Sequence, residues 1–195
     1  MQLWFDKQDR QYAWLSMLLE SYSIVDSGIE AAIQVEKGRN KRQLACHKGC
    51  GNCCRSQTDI PVYPHEIASI YWYVNEKIPS ETRSLFTKQI DDLRDSGYCP
   101  FLTDEQCSIH FVRPASCRVF NVFGRPCQEN EDPFYTRRYD VLIPPIDYIN
   151  EAFYTVLPFY GIKDRYDRID AMEEGFINSM IINLKTYDWK GLFSE

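Results

Sequence analysis

The chain has 195 residues, 22 of them Lys or Arg and 28 Asp or Glu, for a formal charge of −6, and 44% are hydrophobic. A chain of that size buries roughly 70% of the surface its unfolded form exposes, so it builds a core without disulfides or metals; its composition excludes a disordered polyelectrolyte and a protein that coats nucleic acid with basic surface. Yet it carries eight cysteines, all between Cys46 and Cys127.

The first ten residues lack a basic head followed by an apolar run, so they do not read as a secretory signal. No stretch approaches the roughly 20 apolar residues a bilayer span needs. The expected compartment is the cytoplasm, where thiols stay reduced and clustered cysteines serve as metal ligands or redox groups more often than as disulfides.

From about Asp6 to Lys37, Trp14, Leu15, Leu18, Leu19, Ile24, Val25, Ile29, Ala32 and Ile33 recur every three to four residues, which predicts a helix ending near Gly38, with Gly28 marking a break. Lys37 to Arg55 is a basic, glycine-containing loop with the first four cysteines. Pro64 and Glu66 open a second helix that places Ile67, Ile70, Tyr71 and Val74 on one face. A third follows Pro79, capped by Ser80, with Leu85, Phe86, Ile90 and Leu93 as its apolar stripe and Gly97 as its stop.

Cys99 to His110 reads as a short hairpin whose two cysteines face each other across the polar turn Thr103–Gln106, and Pro114 opens a brief helix carrying Cys117 and Arg118. After a turn-rich stretch from Gly124 to Pro133, two further helical patterns follow: Ile146 to Leu157, and Tyr166 through Phe176, Ile177, Met180 and Ile181 to Leu184. The expected architecture is mainly α: one domain, 1–195, of about five to six helices around a loop-dominated metal site with a short hairpin. Its metal-binding core lies at about 44–127, between helical terminal segments at 6–37 and 145–185.

Cys46, Cys50, Cys53 and Cys54 form a C-x3-C-x2-C-C run in which Gly49 and Gly51 permit a tight turn, a geometry suited to chelation. The side chains of Cys53 and Cys54 are expected to diverge and to serve different irons of a cluster or two sites. Cys99, Cys107, Cys117 and Cys127 are too irregularly spaced to define a site alone, but supply further thiols. Four thiolates on one Zn²⁺ leave a net charge of −2, costly to bury uncompensated. Six basic residues and no acid lie between Lys37 and Arg55, and Arg113, Arg118 and Arg125 with no acid between Cys107 and Cys127. These surroundings are expected to lower the thiol pKa values.

The C-x3-C-x2-C-C run, C-P-F-L at Cys99–Leu102, C-x-I at Cys107–Ile109 and R-P-x-x-C-R at Arg113–Arg118 together resemble the cysteine-cluster family described as zinc- or iron-chelating. The resemblance covers about Cys46 to Phe120. The family pattern has two residues between its first cysteines where this chain has three, which sets Cys46 apart from Cys50, Cys53 and Cys54; an aromatic residue is usual where His110 stands. Relatives include flagellin lysine N-methylases, through which the resemblance implies an iron–sulfur cluster.

The candidate ligands are thus Cys46, Cys50, Cys53, Cys54, Cys99, Cys107 and Cys117, with Arg113 and Arg118 as charge-neutralising or anion-binding neighbours. Cys127 reads equally as a packed free thiol, His110 as a surface histidine, His47 as too close to Cys46 to share an ion, and His65 as a helix-start residue. Gly49-x-Gly51 lacks the rest of a dinucleotide fingerprint, and no hydrolase motif occurs. The leading expectation is an iron–sulfur cluster, of the 4Fe–4S type, with a redox or methyl-transfer-related role. The alternative is a non-catalytic zinc module whose helices scaffold a protein-interaction surface. The partner is expected to be a protein or an unidentified substrate, with neither nucleic acid nor membrane involved.

Overall fold

The computed structural model describes residues 13–193, apart from the side chains of Leu85, Thr87, Asp91 and Arg94. The start of the first predicted helix at Asp6 and the Leu85 side chain lie outside these described residues. Helix α1, Ala13–Arg39, buries Leu15, Leu18, Tyr22, Val25, Ile29 and Ile33 along one face. It runs unbroken through Gly28, contrary to the expected break there. The glycine serves a close approach instead: a Cβ at position 28 would lie 2.7 Å from the Tyr148 Cβ. After α1 come α2 (Asn52–Ser56), β1 (Pro61–Val62), α3 (Pro64–Glu76) and α4 (Ser80–Asp95). Gly97, at φ +74°, ends α4, and the Tyr98 amide closes the turn on the Leu93 carbonyl at 2.9 Å.

The hairpin forms from β2 (Leu102–Thr103) and β3 (Gln106–Cys107), joined by Asp104 and Glu105, both in the left-handed region. Its register pairs Cys107 with Leu102 rather than with Cys99. Cys99 lies before the first strand, where its amide donates to the Cys54 carbonyl at 2.7 Å. The chain continues through α5 (Ala115–Val119), α6 (Pro133–Thr136), α7 (Ile146–Val156), α8 (Arg165–Glu173), β4 (Ile182–Asn183) and α9 (Trp189–Phe193). The protein is therefore mainly helical, and α1, α3, α4, α7 and α8 are its substantial helices.

The last predicted helix departs from expectation. Gly175, at φ +68°, stops α8, and Ile182–Asn183 instead pair as an antiparallel strand with Pro61–Val62. Tyr166, Ile169 and Ile181 are exposed rather than core-facing.

The largest apolar cluster joins Leu15, Leu18 and Tyr22 to Ile67 and Ile70, Phe86 and Ile90, Phe101 and Trp189, and it includes Cys54 and Cys99. A second cluster, around Val25, Ile29, Ile33, Phe123, Leu142 and Ala152, fixes α7 antiparallel to α1, where the Ser21 hydroxyl also donates to the Ala152 carbonyl at 3.0 Å. A third, with Val156, Leu157, Ala171 and Ile177, holds α8 away from the cysteines. Among the described residues, no helix is long and apolar enough to cross a membrane.

Candidate metal centre

Three local devices bring distant cysteines together. First, Asn121–Gly124 is stitched between two segments: Ala45 donates to the Val122 carbonyl at 2.7 Å, and Leu142 donates to the Asn121 carbonyl at 2.8 Å. The Val122 amide is thereby placed to donate to Cys46 Sγ at 3.3 Å. Second, Gly51 presses α2 against the hairpin, its Cα so close that an added Cβ would lie 2.3 Å from the Glu105 carbonyl oxygen. Arg55 of α2 also pairs with Glu105, and Asn52 Nδ2 donates to the Cys127 carbonyl at 3.1 Å. Third, α5 is pinned to α3 by a buried carboxylate. Glu66 accepts from its own helix start, Tyr63 N, at 3.1 Å, and from the start of α5, Ala115 N, at 2.7 Å. This side chain, read from sequence only as a favourable charge at a helix start, positions Cys117.

The result is one cavity of about 700 Å³ whose walls include all seven predicted ligands, Cys46, Cys50, Cys53, Cys54, Cys99, Cys107 and Cys117, and also Cys127. All eight thiols are free. His47, His110 and Arg113 line the same space, with Phe134 and Tyr135 on its wall. His65 does not: it is buried beside Tyr160, Nδ1 to hydroxyl 2.5 Å, and burial pushes its pKa down to about 3.

Cys53 and Cys54 are close enough to influence each other's protonation, as are Cys54 and Cys99, and Cys117 is close enough to feel the charge of both Cys53 and Cys54. Cys46 is similarly coupled to Cys50 and Cys53, and Cys127 to Cys46 and Cys50. Cys107 stands apart in this series, beside Tyr73.

The expectation of lowered thiol pKa values is overturned. Hydrogen bonding to Cys54, then burial, raises Cys53 and Cys99. Burial, then neighbouring thiols, raises Cys117; at Cys46 and Cys127 burial again leads, partly opposed by the Val122 amide and the Arg137 charge, respectively. Four of the nine basic residues counted along the chain pair with acids that lie outside the two counted stretches. Arg42 pairs with Glu36 and Asp140, Arg55 with Glu105, Arg118 with Asp26 and Arg125 with Glu131. Counting charge within a sequence window misses partners that folding delivers from outside it.

The same limit hid Arg137 and Glu131. Arg137 Nη2 reaches Cys127 Sγ at 3.6 Å, while its Nε donates to Glu131 at 2.9 Å. Glu131 is buried, which alone would raise its pKa, but donation from Gln128 N, Arg125 and Arg137 holds the carboxyl down at about 2. This ionised carboxylate organises the turn that carries Cys127.

The donor set is chemically coherent: thiolates select zinc and iron–sulfur centres over hard cations. Among the described residues, no three His, Cys, Asp or Glu side chains converge closely enough to hold one ion. The thiols instead surround a space far larger than a single ion fills.

Fold and site thus define a mainly helical protein with a cysteine-lined cavity of metal-binding chemistry. Residues 45–139 match the CxxCxxCC family, whose description is "Putative zinc- or iron-chelating domain". The match spans the cysteine motifs and runs past Phe120 to take in Cys127, Glu131 and Arg137. No curated protein and no solved structure matches the chain.

Proposed function

We propose that the cavity holds an iron–sulfur cluster, of the 4Fe–4S type, bound by thiolates drawn from Cys46, Cys50, Cys53, Cys54, Cys99, Cys107 and Cys117, and that the protein serves a redox or methyl-transfer-related reaction in the cytoplasm. The observation that carries this reading is the single cavity of about 700 Å³ lined by eight free thiols. One tetrahedral zinc needs four ligands and little space; eight thiols around one chamber suit a polynuclear centre. Cys53 and Cys54, adjacent in sequence and both on the cavity wall, are suited to neighbouring irons. When bound, such a cluster supplies one-electron chemistry at a potential set by net charge, hydrogen bonds to sulfur and solvent access. The chain contributes the rest: Val122 N–H and Arg137 donate toward sulfur, and the apolar cluster behind Cys54 and Cys99 excludes water.

Anaerobic preparation followed by iron, sulfide and zinc analysis tests the proposal. Iron and sulfide in near-equal amounts, with charge-transfer absorption, is the expected result. A colourless protein with stoichiometric zinc and no sulfide overturns it in favour of the zinc-module alternative, a metal-stabilised scaffold for a partner protein.

A further inference from the structure

Arg113 and Arg118 are indistinguishable in the R-P-x-x-C-R motif, but the fold gives them different tasks. All three guanidinium nitrogens of Arg118 are occupied. Nη1 donates to both Asp26 oxygens at 3.1 and 2.9 Å, Nε to the Arg113 carbonyl at 3.1 Å and Nη2 to the Phe111 carbonyl at 2.5 Å, with the group lying 4.0 Å above the Tyr22 ring. Arg118 is thus a buried clamp on the loop that presents Arg113.

Arg113 lines the cysteine cavity, and its Nε is buried with no hydrogen-bond partner. Among the described residues it forms no ion pair, whereas Arg42, Arg55, Arg125 and Arg137 around the same cysteine loops all do. Its charge reaches Cys46, Cys53 and Cys117 together. A buried donor left unmade is costly, and a thiolate-bound centre carries the negative charge that this cation and donor lack. Lys48, the other basic residue on the cavity wall, is exposed to solvent, which screens it.

We propose that Arg113 is the charge-compensating and positioning residue of the metal centre: its guanidinium offsets the thiolate charge and its Nε–H donates to a sulfur of the centre, while Arg118 holds Arg113 in place. The proposal rests on the cysteine cavity being the metal site. Offsetting negative charge favours the state with one more electron, so Arg113 raises the reduction potential of an iron–sulfur centre.

The test uses the anaerobically prepared full chain and its Arg113→Gln, Arg113→Lys and Arg118→Lys variants. Each is assayed for iron, sulfide and zinc, then titrated with dithionite through mediators; one electron enters the centre and no bond in the chain forms or breaks. Arg113→Gln is expected to keep its iron and sulfide while its reduction equilibrium shifts at least tenfold toward the oxidised form, about 59 mV for a one-electron couple. Arg113→Lys, which keeps the charge but not the guanidinium donor, falls between. Arg118→Lys lowers the melting temperature more than it moves the potential.

An unchanged potential in a loaded Arg113→Gln protein overturns the proposal. So does loss of the centre from both Arg113 variants with equal falls in melting temperature, the signature of a packing role. If the wild-type protein holds zinc and no sulfide, the iron–sulfur reading fails separately, and Arg113 is then judged by zinc release on acidification. Release at higher pH from Arg113→Gln than from wild type supports its role, and coincident release curves overturn it.

Discussion

Gly51→Ala tests the geometry of the centre with one methyl group. The glycine's φ of −109° is available to any residue, so the substitution probes space and not backbone conformation. The new Cβ would meet the Glu105 carbonyl oxygen at 2.3 Å, its carbon at 2.9 Å and Leu102 Cδ1 at 3.0 Å. Two of these atoms are backbone in the tight turn of the hairpin, whose residues Asp104 and Glu105 already occupy left-handed conformations. Relief therefore requires α2 and the hairpin to separate, carrying Cys53 and Cys54 away from Cys107. Overpacking of this kind costs about 1–3 kcal/mol, and in a domain of this size each kcal/mol lowers the melting temperature by roughly 2–4 °C. Differential scanning calorimetry should show a fall of about 2–12 °C, accompanied by metal content below that of wild type. Gly38→Ala is the control, because a Cβ there meets nothing within 4 Å; it should match or exceed wild-type stability. A Gly51→Ala protein with wild-type melting temperature and full metal occupancy would refute the reasoning.

Three other outcomes follow from the same structure. Burial lifts the Glu66 carboxyl from 4.5 to about 7, so the folded state prefers the protonated acid: that stability is complete below pH 4.5 and is lost as pH rises through 7. The difference corresponds to on the order of 3 kcal/mol, and the stability of wild type relative to Glu66→Gln, measured in urea at several pH values, should decline over that interval; parallel pH profiles would contradict it. Because burial and neighbouring thiols hold Cys46, Cys53, Cys99 and Cys117 protonated, metal loading must expel protons; a pH indicator in weak buffer should record about one proton per ligating thiol, and loading without release would show that the thiols were already ionised. Removing the metal with a chelator should abolish hydrogen-exchange protection across 45–139 while α8 and the end of α7 keep theirs, since their cluster of Val156, Leu157, Ala171 and Ile177 lies away from the cavity; uniform loss along the chain would argue against that independence.

What was legible in the sequence follows the range of the forces involved. The α1 stripe, the Pro64 start, the Gly97 stop and the Pro114 helix are local signals, and each appears where its residues place it. The cysteines could be gathered as a set because their spacing and flanking motifs form an ordered pattern. Arg113 and Arg118 could not be told apart, since the distinction depends on Asp26, 92 residues from Arg118. Gly28 looked like a helix break because its contact, Tyr148, belongs to another helix. The pattern from Phe176 to Leu184 has helical spacing, yet Gly175 ends α8 and the strand partner of Ile182 is Val62. Sequence periodicity does not report a pairing made across the fold.

That strand pairing also sets an order of events during synthesis. Leu184 lines the cysteine cavity, and its amide is held by the Ile60 carbonyl at 2.9 Å. This wall therefore emerges from the ribosome more than a hundred residues after Cys54, or about 6–26 s later at 5–20 residues per second. Until then the first thiols face solvent with one side of their chamber missing. Metal delivered early meets an open, exchangeable set of thiols; metal delivered after the C-terminal strand docks meets a walled one.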